Sequence, residues 1–197
     1  MTDKDIGSRV RLHALKTLSD NHYTLSRADF DYRRSDGQWQ ALSRESYDLG
    51  DAIAVLPMDR ARNRVLLIRQ FRWPVYEWGH RELMIEAIAG KLDGDTLEDC
   101  TRREAMEEAG VTLGALHLIT HCFPSPGAVK ERMTAYLADY DSSAPRARGG
   151  GIGAEGEDIQ TFELTLDEAL AMVASGEIID LKTIMLLQAA KLRNGRF

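Results

Sequence analysis

The residues best equipped to do chemistry lie in one short segment, Arg103-Glu104-Ala105-Met106-Glu107-Glu108-Ala109-Gly110. From Asp95 to Ala109 there is neither Pro nor Gly, and Asp95 with Glu98, or Thr96 with Asp99, resembles a capping box. Gly110 suits the position that stops a helix. The pattern predicts a helix over about 96–109. On that helix Glu104 and Glu108 stand four residues apart on one face, with Glu107 beside them. Like charges at this spacing repel, and carboxylates in a last turn oppose the helix dipole, each effect costing about 0.3–1 kcal/mol. A divalent cation would relieve both, and carboxylate ligands suit hard ions such as Mg²⁺ or Mn²⁺. Spacing alone leaves a solvated acidic face open as the plainer reading.

The elements that must position this segment follow from the surrounding pattern. Residues 22–34 and 38–47 alternate apolar and polar about the turn Ser35-Asp36-Gly37, which predicts a β-hairpin. The runs 52–58 and 65–71 predict a second, more buried hairpin. Residues 73–82, with Pro74 and Gly79, read as a loop, and 83–89 as a short strand. After the helix, strands are expected near 114–123, 132–140 and 159–164, then helices near 166–175 and 180–193. The Gly-rich stretch 141–158 reads as a long loop, either mobile over a site or a flexible linker. This is an α+β pattern with a mixed sheet between helices. Residues 1–48 read as an N-terminal antiparallel strand unit and 49–197 as the main domain. A hairpin alone is marginal in water, so the first unit is expected to pack on something, a partner subunit being one candidate.

Composition narrows the function classes. The 197 residues carry 44% hydrophobic and 28% charged side chains, as a globular chain does. A net charge of −6 argues against a basic nucleic-acid surface, so no nucleic-acid partner is expected. An acidic protein handling phosphates needs a local cation. Cys100 and Cys122 make no disulfide framework and fit a reducing compartment. No signal segment or apolar run near 18 residues is seen, so a soluble, cytoplasmic protein without membrane contact is expected. His80, His117 and His121 have no metal-ligand spacing with the cysteines, so no zinc site is expected.

The strand, Gly-containing loop and R-E-x-x-E-E-x-G helix resemble the Nudix box, G-x5-E-x7-R-E-U-x-E-E-x-G-U with U aliphatic. Arg103, Glu104, Glu107, Glu108, Gly110 and Val111 match in register. Gly90 lies 13 residues before Arg103 rather than 14, Ala105 is a small U, and the isolated Glu of the box has no counterpart, Asp95 or Thr96 standing there. Segments IRQFR (68–72), SPG (125–127), GGG…EGEDI (149–159) and GEIIDLKT (176–183) are similar to the GDP-mannose pyrophosphatase branch of the Nudix family, close to the ADP-ribose pyrophosphatases. The resemblance covers roughly residues 15–194. It implies a Nudix α/β/α sandwich, with the N-terminal strands exchanged across a homodimer. It also implies Mg²⁺-dependent hydrolysis of a nucleoside diphosphate sugar, GDP-mannose first and ADP-ribose as the alternative.

The same resemblance implies roles. Glu104 and Glu108 would ligate metal with the backbone carbonyl of Ala89, Glu107 directly or through water, and Arg103 would hold the carboxylates in place. Glu157 would bring a further carboxylate and is the candidate general base. Arg72, Glu131 and Lys182 would contact substrate, and His22, Ser43, Arg44 and Glu45 would supply nucleotide contacts from the partner chain. A nucleotide-sugar-sensing binding protein on the same fold is the non-enzyme alternative, and an isomerase or a hydrolase of capped RNA the others. The retained carboxylates disfavour the sensor, and the low positive charge disfavours RNA.

Overall fold

The computed structural model describes residues Ile6–Arg193. The chain divides into two compact units, one running to Gly50 and including Ser125–Glu131, the other made of Asp51–Pro124 and the residues from Arg132 onward.

The first unit is a meander of β1 (Val10–Asp20), β2 (Thr24–Arg33) and the first part of β3 (Trp39–Asp59), with both pairings antiparallel. The β2–β3 turn forms where Ser35-Asp36-Gly37 predicts it. Gly37 adopts φ 84°, its N–H donates to the Arg34 carbonyl at 3.0 Å, and the Asp36 carboxylate accepts from the Gln38 N–H. Strand β1 is absent from the sequence reading for a physical reason. Its leucines, Leu12, Leu15 and Leu18, recur every third residue, and the pairing with β2 slips once between Leu12 and Ala14 and again between Thr17 and Ser19. Each bulge inserts a residue and breaks the period of two. All three leucines are exposed.

In the second unit, β3 continues as one strand through the expected 52–58 run. It pairs with β4 (Arg64–Gln70) through a tight hairpin and with β6 (Ile88–Lys91). Strand β4 also pairs with β5 (Met84–Glu86) and β9 (Gln160–Thr165), and β7 (Leu116–Cys122) pairs with β8 (Val129–Asp139). Residues Ile53–Leu56 and Val65–Ile68 are fully buried, as a sheet covered on both faces requires. Alternation sorts them. Ala54, Leu56, Val65 and Leu67 pack with Met133, Ala135 and Leu137 of β8 against α3 (Leu166–Ser175) and α4 (Leu181–Leu192). Val55, Leu66, Ile68 and Ile88 pack against Ala105 and Ala109 of α2 (Leu97–Ala109). The architecture is therefore α+β, with the sheet between helical layers. Each large side chain buried here contributes roughly 1.5–3 kcal/mol, so the platform under α2 is rigid.

Caps fix where the helices start. Thr96 begins α2 by accepting from the Asp99 N–H at 3.1 Å, and Gly110 ends it at φ 66°. Thr165 and Glu168 form a reciprocal capping box on α3, and Asp180 caps α4. Two expectations change. Residues 73–82 are not all loop, because Trp73–Trp78 forms a short helix, α1. Pro74 starts it and Gly79, at φ 118°, stops it, so the two breakers mark ends rather than absence. The 83–89 strand is two strands, since β5 pairs with β4 and β6 with β3. At the switch the Ala87 N–H leaves the sheet and donates to Thr183 Oγ1 at 2.6 Å. Among the described residues no helix is long and apolar enough to cross a membrane.

Candidate active site

Helix α2 presents its carboxylates toward β6. Glu108 is 2% exposed and accepts from the Ala89 N–H at 3.3 Å. Glu104 lies against Gly90, where a Cβ would stand 2.0 Å from the Glu104 Cδ, so only glycine leaves room for that carboxylate. Burial pushes the Glu104 carboxyl up to about 7, with help from the charges of Glu107 and Glu157. Burial, then Glu104 and Glu157, pushes Glu108 up to about 8. Arg103 counters on the outer side. Its Nη1 donates to Glu104 at 2.8 Å and Glu107 at 2.9 Å, and its Nε to Asp95 at 2.9 Å. Asp95 thus brings a loop carboxylate to Arg103. Cys100 is inert here, because its buried thiol is pushed up to about 11 and faces the Lys91 carbonyl.

The glycine loop packs on the end of α2, and its glycines allow the close approach. The Gly150 N–H donates to the Glu108 carbonyl at 2.9 Å, the Gly151 N–H to the Glu107 carbonyl at 3.0 Å and the Ala147 N–H to the Gly110 carbonyl at 2.8 Å. These satisfy carbonyls that the end of α2 leaves open. A Cβ on Gly149 would come within 2.6 Å of the Ala109 carbonyl carbon, and one on Gly151 within 2.5 Å of Glu157 Oε2. Glu157 is held by the Ile152 N–H at 2.8 Å and acts electrostatically on both Glu104 and Glu108. Arg148, the three glycines, Glu157 and Asp158 line an open depression of about 500 Å³.

Arg72 and Lys182 meet at a residue the sequence reading passed over. Arg72 Nε and Nη2 donate to the two oxygens of Glu86 at 2.8 and 3.1 Å, and Lys182 Nζ donates to Glu86 Oε2. Lys182 also pairs with Asp180 at 3.1 Å. Burial alone would raise the Glu86 carboxyl, but the Arg72 hydrogen bonds and the Lys182 charge outweigh it and hold it below the ordinary value. The signal was one acidic residue inside the apolar run 83–89, since a buried charge is the informative exception. Gln70 shares the sheet face of Ile68 and Glu86 by register, is 6% exposed, and its Nε2 has no hydrogen-bond partner.

The remaining sequence-derived candidates belong to the first unit. His22 is exposed in the β1–β2 turn with its ring 4.4 Å from that of Tyr23. Ser43, Arg44 and Glu45 are exposed on β3 opposite Asp29, Ala28 and Arg27. Glu131 is half-buried on β8. The second unit thus brings together Glu104, Glu107, Glu108, Glu157, Arg103 and the Ala89 backbone, and joins Arg72 with Lys182 at Glu86, with Arg72 also acting electrostatically on Glu108. The chemistry of the first group fits a hard divalent cation, with carboxylates clustered and two of them, Glu104 and Glu108, pushed toward protonation first by burial and then by neighbouring carboxylates. Arg103 occupies Glu104 and Glu107 oxygens, and among the described residues no three acidic, His or Cys side chains are already set as a ligand group.

Comparison with known proteins agrees with this geometry. Residues 9–47 match the GDP-mannose pyrophosphatase NudK N-terminal domain, and residues 48–187 the NUDIX domain. A GDP-mannose pyrophosphatase of Pectobacterium atrosepticum is 43% identical over 189 residues, covering 95% of this chain and 97% of that protein. One of Cronobacter sakazakii is 40% identical over 185 residues, covering 93% and 96%. The crystal structure of an ADP compounds hydrolase shares the fold at 15% identity, with a TM-score of 0.73 over 95% of this chain and 96% of that one. A carboxylate-bearing helix packed on a covered sheet, a NUDIX match spanning most of the chain and relatives aligned over nearly their full length lead to one conclusion: the chain belongs to the NUDIX family and is a Nudix hydrolase.

Proposed function

We propose that this chain hydrolyses the diphosphate bond of GDP-mannose, giving GMP and mannose 1-phosphate. The observation that carries the reading is the cluster of the buried Glu108 with the half-buried Glu104 and Glu157 at the Ala89–Gly90 backbone. The relatives' substrate supports the choice of sugar nucleotide. Nudix hydrolases in general need a divalent metal, and we assign Mg²⁺, with Mn²⁺ as the alternative. Glu104, Glu107, Glu108, Glu157 and the Ala89 carbonyl would hold it. When bound, it neutralises diphosphate charge and lowers the pKa of water.

The chain's own residues do the rest. Arg103, tied to Glu104, Glu107 and Asp95, keeps the cluster in one arrangement. Arg72 and Lys182 take up negative charge on the substrate, which grows toward the transition state. Glu157, oriented by the Ile152 N–H, is the base that takes a proton from the attacking water. Water adds across the P–O–P bond, one phosphate leaving with the nucleoside and the other with the sugar. His22, Ser43, Arg44, Glu45 and Glu131 are assigned to nucleotide and phosphate contacts, the first four reaching the site of a partner chain. The exposed leucines on edge strand β1 support a homodimer through the N-terminal strands. We place the enzyme in the cytoplasm, with no nucleic-acid partner.

The test is a rate comparison over a panel of nucleoside diphosphate sugars with Mg²⁺. GDP-mannose is expected to show the highest kcat/KM. A higher value for ADP-ribose would keep the enzyme class and overturn the substrate.

A further inference from the structure

Glu86 is 2% exposed, in a strand flanked by Ile85 and Ala87. Its two oxygens take three charge-assisted hydrogen bonds from two cations on different elements, Arg72 at the start of α1 and Lys182 in the first turn of α4. The Arg72 guanidinium gives Glu86 its Nε–Nη2 edge, and the Arg72 side chain remains 42% exposed. Lys182, at 15% exposure, is shared between Glu86 and Asp180. Asp180 is fixed in turn. It accepts from the Thr183 N–H at 2.9 Å and from Thr183 Oγ1 at 2.5 Å, and that hydroxyl accepts from the Ala87 N–H next to Glu86. The network closes on itself and ties β5 to α4.

A buried ion cluster of this kind is poor value as a stabiliser, because an apolar side chain of similar volume would serve the core as well. What it does provide is a fixed spacing between two cations, the half-exposed Arg72 and the more deeply set Lys182. We infer that Glu86 is a positioning residue, a single buried carboxylate that sets the orientation of Arg72 and the distance from it to Lys182, so that the two form one clamp for the phosphate-bearing part of the substrate. The inference rests on the reading that Arg72 and Lys182 meet substrate.

The test is a double-mutant cycle on the Mg²⁺-loaded enzyme with GDP-mannose, using Glu86→Gln, Arg72→Ala and the double variant, with Lys182→Ala alongside. Glu86→Gln keeps the shape and retains both cationic residues but removes the charge that orients them. It is expected to lower kcat/KM about ten- to a hundredfold, carried by kcat, with KM changing little because attraction for the anionic substrate persists. In the Arg72→Ala background the same substitution is expected to change kcat/KM by no more than about twofold. If Glu86→Gln does not fold, Glu86→Asp, which keeps the charge but shortens the reach, goes through the same cycle. Equal fold-losses in both backgrounds, or a rise in KM alone, would overturn the inference. Arg72→Ala and Lys182→Ala both leaving kcat/KM unchanged would instead overturn the reading that these residues contact substrate.

Discussion

Replacing Glu108 by Gln should stabilise the cation-free protein in alkali while destroying its activity. Glu108 is almost wholly buried and its carboxyl is pushed up to about 8, first by burial and then by Glu104 and Glu157. Because the folded value lies above the unfolded one, the folded state holds a proton that the unfolded state has released through the window from about pH 4.5 to 8. Stability is therefore present below that window and falls as pH rises through it. At 1.36 kcal/mol per pH unit, ionising Glu108 in place costs on the order of 5 kcal/mol by pH 9. Gln removes the charge but buries an NH₂ group, a penalty of about 1–3 kcal/mol if unpartnered. The net gain at pH 9 is about 2–4 kcal/mol, or roughly 4–15 °C in Tm for a chain of this size. The assay is thermal unfolding in chelator at pH 5 and pH 9, beside turnover with Mg²⁺. At pH 5, where the wild-type carboxyl is already protonated, the gain should vanish. A variant no more stable than wild type at pH 9, or equally stabilised at both pH values, would refute the account of a strained, buried carboxylate.

Other substitutions follow from the same geometry. Gly90→Ala puts a methyl into the Glu104 carboxylate and should cost about 1–3 kcal/mol and at least about tenfold in kcat, read by unfolding and steady-state kinetics. Gly151→Ala, at φ 78° and 2.5 Å from Glu157 Oε2, should displace Glu157 and lower kcat more than it raises KM. Asp59→Ala should destabilise by about 2–4 kcal/mol and leave kcat unchanged, because the buried Asp59 holds Ser142 and Arg62 away from the carboxylate cluster. Adding Mg²⁺ should raise Tm more at pH 9 than at pH 5, since protonated Glu104 and Glu108 compete with the ion at low pH.

Much of the second unit was legible because its signals are local. The helical spacing of Glu104, Glu107 and Glu108, the Thr96 cap and the Gly110 stop all act within a few residues. The alternation in β3 and β4 reports a sheet buried on both faces. What escaped depends on distant partners or on broken periods. Strand β1 hides its alternation behind two bulges. Helix α1 is bounded by the residues that usually signal its absence. Glu86 looks like one stray charge until α4, 96 residues later, brings Lys182 to it. The glycines at 149–151 read as a mobile loop or a flexible linker, and their packing on the end of α2 depends on the path of the chain.

The most direct test of the central claim is product analysis of GDP-mannose incubated with wild-type protein and with Glu108→Gln, each with and without Mg²⁺. Wild type is predicted to release GMP and mannose 1-phosphate in equal amounts only when the ion is present, and the variant to release neither. Equal cleavage by Glu108→Gln, or cleavage by wild type in chelator, would contradict a hydrolase centred on the α2 carboxylates.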